Sequence, residues 1–159
     1  MKENPAEEVL TLAKAAQLLL EECRMILPGI QALFGFQLMV VFTSRFDDVF
    51  GPAEKRLHLL AVGLVAVAVA LIMTPAAYHR QTDPEKVTRR MIQISTQLVL
   101  FSMPPLALSL CIEFYLISRV LVGGWLAPAL AAILSVVFLF LWFLLPRLQG
   151  LQRIAKTPK

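Results

Sequence analysis

Three polar side chains stand at helical spacing where an apolar stretch begins. Within residues 21–46, EECRMILPGIQALFGFQLMVVFTSRF, alternating steps of three and four from Glu21 reach Arg24, Pro28, Gln31, Gly35, Leu38 and Phe42. Stepping backwards reaches Gln17 and Lys14, so one helix face is charged and amidic at its start, small in the middle and apolar at its end. Such a face should meet protein or water, because lipid would leave its groups unsatisfied. A second polar set lies further along, with His79-Arg80 closing one apolar run and Gln93 and Gln97 opening the next. Glu21, Arg24, Gln31, His79, Arg80, Gln93 and Gln97 thus make a candidate polar pocket for an anion, a proton or a lipid headgroup. The plainer reading of the same residues is interhelical hydrogen bonding and charged side chains reaching the membrane surface, worth about 0.6 kcal/mol per contact.

Glu113 is the one carboxylate inside an apolar run, which makes it the candidate for proton or cation handling, although the closeness of Arg119 and the loop favours a plain interface position. Arg45, after the first apolar run, should lie at similar depth, so an Arg45–Glu113 ion pair is expected. His58 and His79 are 21 positions apart, about 32 Å along one helix, so they mark opposite membrane faces and cannot share a haem. No cofactor and no metal site is expected. Catalytic residues are not expected either, since there is no HExxH, no intramembrane Asp pair and no phosphate-cradling Gly loop. Ser95, Ser102, Ser109 and Ser135 read as helix hydroxyls bonded to backbone carbonyls.

The elements that must position these residues are membrane helices. Of 159 residues, 58% are hydrophobic and 16% charged, and the charges cluster in short blocks between long apolar runs. A charge-free run such as 125–145 suits a bilayer span of about 20 residues better than a soluble core. The net charge of +4 sits in the flanks, pointing to anionic lipid and not to nucleic acid, which would need a basic stripe interleaved with aromatics. Spans are expected at about 25–43, 57–77, 91–117 and 125–145, preceded by an amphipathic interfacial helix within 1–24 and followed by a basic tail, 146–159. Pro75 should break the last turns of the second span, and Pro104-Pro105 should kink or break the third. Asp83-Pro84-Glu85 reads as a helix start. Gly63, Ala66 and Ala70 form a small-residue stripe suited to close helix packing. Cys23 and Cys111 should lie on opposite sides of the membrane, beyond the reach of a disulfide.

The residues before the first span, between the second and third, and after the fourth hold 11 of the 15 Lys and Arg. The positive-inside rule then puts both termini in the cytoplasm.

Glu21, Arg24, Pro28, Gly29, Gln31, Leu33, Phe34 and Phe36, with Arg45-Phe46 and Pro75-x-Ala77-x-His79-Arg80, together resemble a family of small bacterial four-span membrane proteins catalogued as a domain of unknown function. The resemblance covers roughly residues 18–80. It implies a multi-pass protein of the bacterial cytoplasmic membrane and brings no activity or site residue with it. The expected fold is therefore an all-α, four-helix transmembrane bundle. Two functions stay open: a non-enzymatic structural or accessory membrane protein, and a small oligomeric channel or transporter with a cytoplasm-facing pocket. The expected partners are membrane lipids, anionic ones at the basic segments, and a homo-oligomer or larger membrane complex.

Overall fold

A computed structural model of the chain describes residues 11–82 and 88–148, and among these it is helical without strands. Five α-helices follow in order: α1 (Leu12–Val41), α2 (Phe46–Val49), α3 (Pro52–Thr82), α4 (Arg89–Leu121) and α5 (Leu126–Leu139). A π-helical turn, Phe140–Leu144, extends α5, so that its helix runs over Leu126–Leu148. Four helices are thus long and apolar enough to cross a membrane, α1, α3, α4 and the extended α5.

Local chemistry sets most boundaries. The Thr11 side chain accepts a hydrogen bond from Lys14 N at 3.4 Å, and Thr88 accepts one from Met91 N at 3.2 Å. Each satisfies one of the donors left free at a helix start. Pro52 opens α3 where its missing N–H costs nothing, with Glu54 in the first turn and His79 and Arg80 in the last, all matching the helix dipole. Gly123 and Gly124 end the α4–α5 connection with φ of 68° and 56°, a left-handed pair that side chains with a Cβ resist. The Gly123 N–H reaches back to the Ser118 carbonyl at 3.3 Å, closing the end of α4.

The prolines do less than expected. Pro75, Pro104 and Pro105 lie inside continuous helices, so α3 runs to Thr82 and α4 is unbroken. Pro75 is buried among the neighbouring helices, which hold the chain across its lost bond. Pro146 does not stop the last helix either; the π-helical turn just before it widens the coil where a carbonyl has lost its donor. Residues 12–24 join the first span in one continuous helix. The expected helix start at Asp83-Pro84-Glu85, the first part of the N-terminal segment and the tail beyond Leu148 lie outside the described residues.

The bundle is built around α3 and α4, which share the most extensive interface; α1 packs mainly on α3, and α5 on α4. On α3 the buried positions are Glu54, His58, Ala61, Val65, Ala68, Ile72 and Pro75, alternating in threes and fours down one stripe. Ser95, Ser102 and Ser109 on α4 recur every seven residues and are buried. Small side chains on these two stripes let the backbones approach, the usual basis of helix association in a membrane. Ile30 of α1 packs with Val65 and Ile72, flanked by Leu27, Phe34 and Leu106. The Gly63, Ala66 and Ala70 stripe, by contrast, faces outward, because α3 turns the next set of small residues to α4. Cys23 and Cys111 are both free.

Enlarging a side chain on the buried stripe should therefore cost more than on the outer one. Ala68→Leu is predicted to destabilise the bundle by about 1–3 kcal/mol by overpacking. Ala66→Leu should stay within about 0.5 kcal/mol. Reversible unfolding in mixed micelles, followed by circular dichroism, measures both.

Candidate functional site: a buried polar network at one end of the bundle

The end of α1, the beginning of α3 and the later part of α4 meet at one end of the bundle. Glu113 is about 9 Å along α4 from Arg119, and Ser109 about 15 Å, so the meeting point lies below the charged loop level. Here an apolar bundle encloses four polar side chains. The imidazole of His58, 3% exposed, places Nδ1 2.9 Å from Glu113 Oε1 and Nε2 3.0 Å from the Gln37 backbone carbonyl. The Gln37 amide nitrogen donates to Ser109 Oγ at 3.1 Å and to Glu113 Oε1 at 3.3 Å. Ser109 Oγ in turn donates to the Ala61 carbonyl at 2.9 Å. Three helices are thereby tied by side chains whose alternative partner in hydrocarbon would be nothing at all.

A second acid–base pair closes the network on the loop side. Arg119 of α4 forms a salt bridge with Glu54 of α3, the carboxylate being largely buried and the guanidinium half exposed. Acid and base alternate between the helices: Glu54 with Arg119, then His58 with Glu113. Gly51 leaves room for this arrangement, since a Cβ there would come within 2.8 Å of Glu54 Oε2. The short helix α2 covers the site. The Phe46 ring meets the His58 imidazole edge-on with centroids 5.6 Å apart, and Phe50 meets Phe46 at 5.2 Å. Lys55, paired with Asp47 at 2.6 Å, lies over the Phe46 ring, 5.8 Å from its centroid. One acceptor is left over: Gln37 Oε1 is buried without a hydrogen-bond partner.

The expected pocket residues are divided. Arg24, His79 and Arg80 come together at the opposite end of the bundle, around a groove of about 360 Å³ with Leu20, Cys23 and Ile72 in its wall. His79 Nδ1 is buried there without a partner. Glu21 is exposed and accepts from Gln17 Nε2 at 2.9 Å. Gln31 is exposed on α1, and Gln93 and Gln97 are exposed on α4. Gln97 lines a different groove, of about 480 Å³, with Trp142 and Arg147 of the last helix. The face of α1 that packs inward carries Ala16, Cys23, Ile30, Phe34 and Gln37, so the stripe read from Glu21 points away from the bundle except at Arg24, which borders the groove. The Arg45–Glu113 pair does not form. Glu113 is taken by His58 and Gln37, and Arg45 stays exposed beside Phe46, Ile117 and Leu121.

Gln37, His58 and Ser109 were the residues that sequence reasoning did not assemble. Gln37 lies about 120° from the stripe counted from Glu21. His58 reads as a boundary marker, and Ser109 as one of several hydroxyls bonded within their own helix. Ser102 and Ser135 do bond that way, at 2.6 and 2.8 Å, whereas Ser109 crosses to α3 and Ser95 is buried without a partner. The available signal was the heptad spacing of Ser95, Ser102 and Ser109 together with that of His58, Val65, Ile72 and His79.

Breaking either acid–base pair should strand a buried partner. Glu113→Leu leaves His58 Nδ1 and the Gln37 amide short of a partner and is predicted to cost about 1–3 kcal/mol. Arg119→Ala removes a half-exposed charge but strands the largely buried Glu54 carboxylate, and is likewise predicted to cost about 1–3 kcal/mol. Both are read from unfolding in lipid bicelles.

No curated protein and no solved structure matches this chain. One family profile does, over residues 7–146, which takes in three of the four long helices whole, all but the last two residues of the fourth, and every residue of the network. The chain belongs to that family, described as a family of unknown function (DUF6328).

Proposed function

We propose that this chain is a non-enzymatic structural or accessory protein of the bacterial cytoplasmic membrane, with both termini in the cytoplasm, and that it assembles with a second copy of itself through the outer face of α1. The observation that carries this reading is Gln31. Its amide is exposed on the outside of a helix that has no charged residue between Arg24 and Arg45. In lipid that amide would lack hydrogen-bond partners. An amide is both donor and acceptor, so the same residue at the same depth in a parallel two-fold pair is its complement. Gly35, one turn on, has nothing within 4 Å of a Cβ position and lets a second α1 approach.

The Arg24, His79 and Arg80 groove fits an anionic lipid headgroup on the cytoplasmic side, where basic pockets between membrane helices meet such lipids. A transport reading draws on the same polar ends. Against it, Ile30, Val65 and Ile72 fill the bundle between them with apolar side chains.

Oligomeric state in native-like lipid tests the proposal. The wild type is expected as a dimer by subunit-counting photobleaching, and Gln31→Leu should weaken association by about 1 kcal/mol, a several-fold change in dissociation constant. A monomeric wild type would overturn self-assembly. Ion or solute flux in liposomes, compared with Gln31→Leu and Glu113→Gln, is expected to be absent; flux lost in those variants would establish transport instead.

A further inference from the structure

The hydrogen-bond geometry of the network restricts where protons can be. A backbone carbonyl only accepts, so the 3.0 Å contact between His58 Nε2 and the Gln37 carbonyl requires a hydrogen on Nε2. The 2.9 Å contact between His58 Nδ1 and Glu113 Oε1 then needs one more hydrogen, on either atom. With it on Nδ1 the pair is imidazolium and carboxylate; with it on Oε1 it is neutral imidazole and carboxylic acid. Both arrangements are net neutral and both satisfy Gln37, whose amide nitrogen donates to the same carboxyl oxygen at 3.3 Å. Without that hydrogen two lone pairs would face each other across the contact. With a second, the pair would carry a net positive charge among apolar helices.

We infer that His58 and Glu113 form a binding site for a single proton, held between Nδ1 and Oε1, which joins α3 to α4 and, through Gln37, to α1. The surroundings suit such a site. From α1 come the Gln37 amide and carbonyl, and from α2 the Phe46 ring; Asp47 of α2 is engaged by Lys55. From α3 comes Glu54, one turn nearer the loop, already paired with Arg119 of α4; Ser109 of α4 is neutral, and α5 has no charged residue. No other charge therefore replaces the shared proton at the His58–Glu113 contact. Its removal passes one proton to water, breaks the Nδ1–Oε1 hydrogen bond and leaves a carboxylate beside a neutral imidazole. Rising pH should accordingly loosen this end of the bundle as the proton is lost.

The test uses the full chain in lipid nanodiscs with ¹⁵N-labelled histidine, His79→Gln serving to assign the His58 signals. Near neutral pH, Nε2 of His58 is expected to carry a hydrogen and the pair to hold one further proton, located by the Nδ1 shift and the Glu113 carboxyl infrared band. On raising the pH, one proton per chain should leave, with the Nδ1 signal and faster amide exchange at the ends of α1 and α4 changing together. Glu113→Gln can donate an amide hydrogen to Nδ1 in place of the shared proton, giving up the Gln37 contact to that atom while Gln37 keeps its bond to Ser109, and it should lack that step. An unprotonated Nε2 at neutral pH, a pair holding none or two protons there, or a step that persists in Glu113→Gln would each overturn the inference. The wild-type spectra decide it even where the variant fails to fold.

Discussion

The hydrogen bond between His58 and Glu113 is the interaction on which the rest of this bundle depends. In a bilayer an ionisable group cannot turn to water for its partners, so each helix that carries one is committed to a particular neighbour and register. His58 commits α3 to Glu113 of α4 and to the carbonyl of Gln37 on α1. Once those positions are set, the heptad stripe of α3 must lie against α4, and Ser109 falls opposite the Ala61 carbonyl. The small residues below then pack because the polar contacts above have chosen the faces. Dispersion between Ala, Val and Ser stripes is adaptable; the buried polar bonds give it direction.

That ordering also accounts for the asymmetry between the two ends. One end holds a polar network with one spare acceptor, Gln37 Oε1, under the cover of Phe46. The other holds a cationic groove lined by Arg24, His79 and Arg80. Ile30, Val65 and Ile72 lie between, where an apolar cluster needs no partners beyond itself. The two ends are thus chemically separate within one chain, one shielded by an aromatic side chain and one lined by basic side chains.

Much of the fold was legible because a bilayer leaves few choices. Apolar runs of span length, separated by blocks of charge, permit little besides membrane helices, and the structure has four that are long and apolar enough. The candidate site was harder to read, for reasons specific to its residues. Gln31 and Gln37 have the same side chain in the same helix, and which of them faces inward depends on the partner helices, which no count along α1 contains. Glu113 stood out because it is a carboxylate in an apolar run, yet its partner was sought at similar depth among arginines. The nearer base was a histidine six residues into α3, in a segment whose apolar character begins only at Leu57. The prolines misled in the opposite direction, since their cost of about 3 kcal/mol per interior position is a property of isolated helices. Pro75 is fully buried in the α3 packing stripe, held there by its neighbours.

If His58 and Glu113 organise the bundle, they must act together. A double-mutant cycle with His58→Leu, Glu113→Leu and the pair, read as unfolding free energy in bicelles, measures that most directly. The two changes are predicted to be non-additive by about 1–3 kcal/mol, the double variant losing less than the sum, because either single change strands a buried partner. Additivity within about 0.5 kcal/mol would mean that the two groups do not depend on each other, and would contradict the network as the organising interaction.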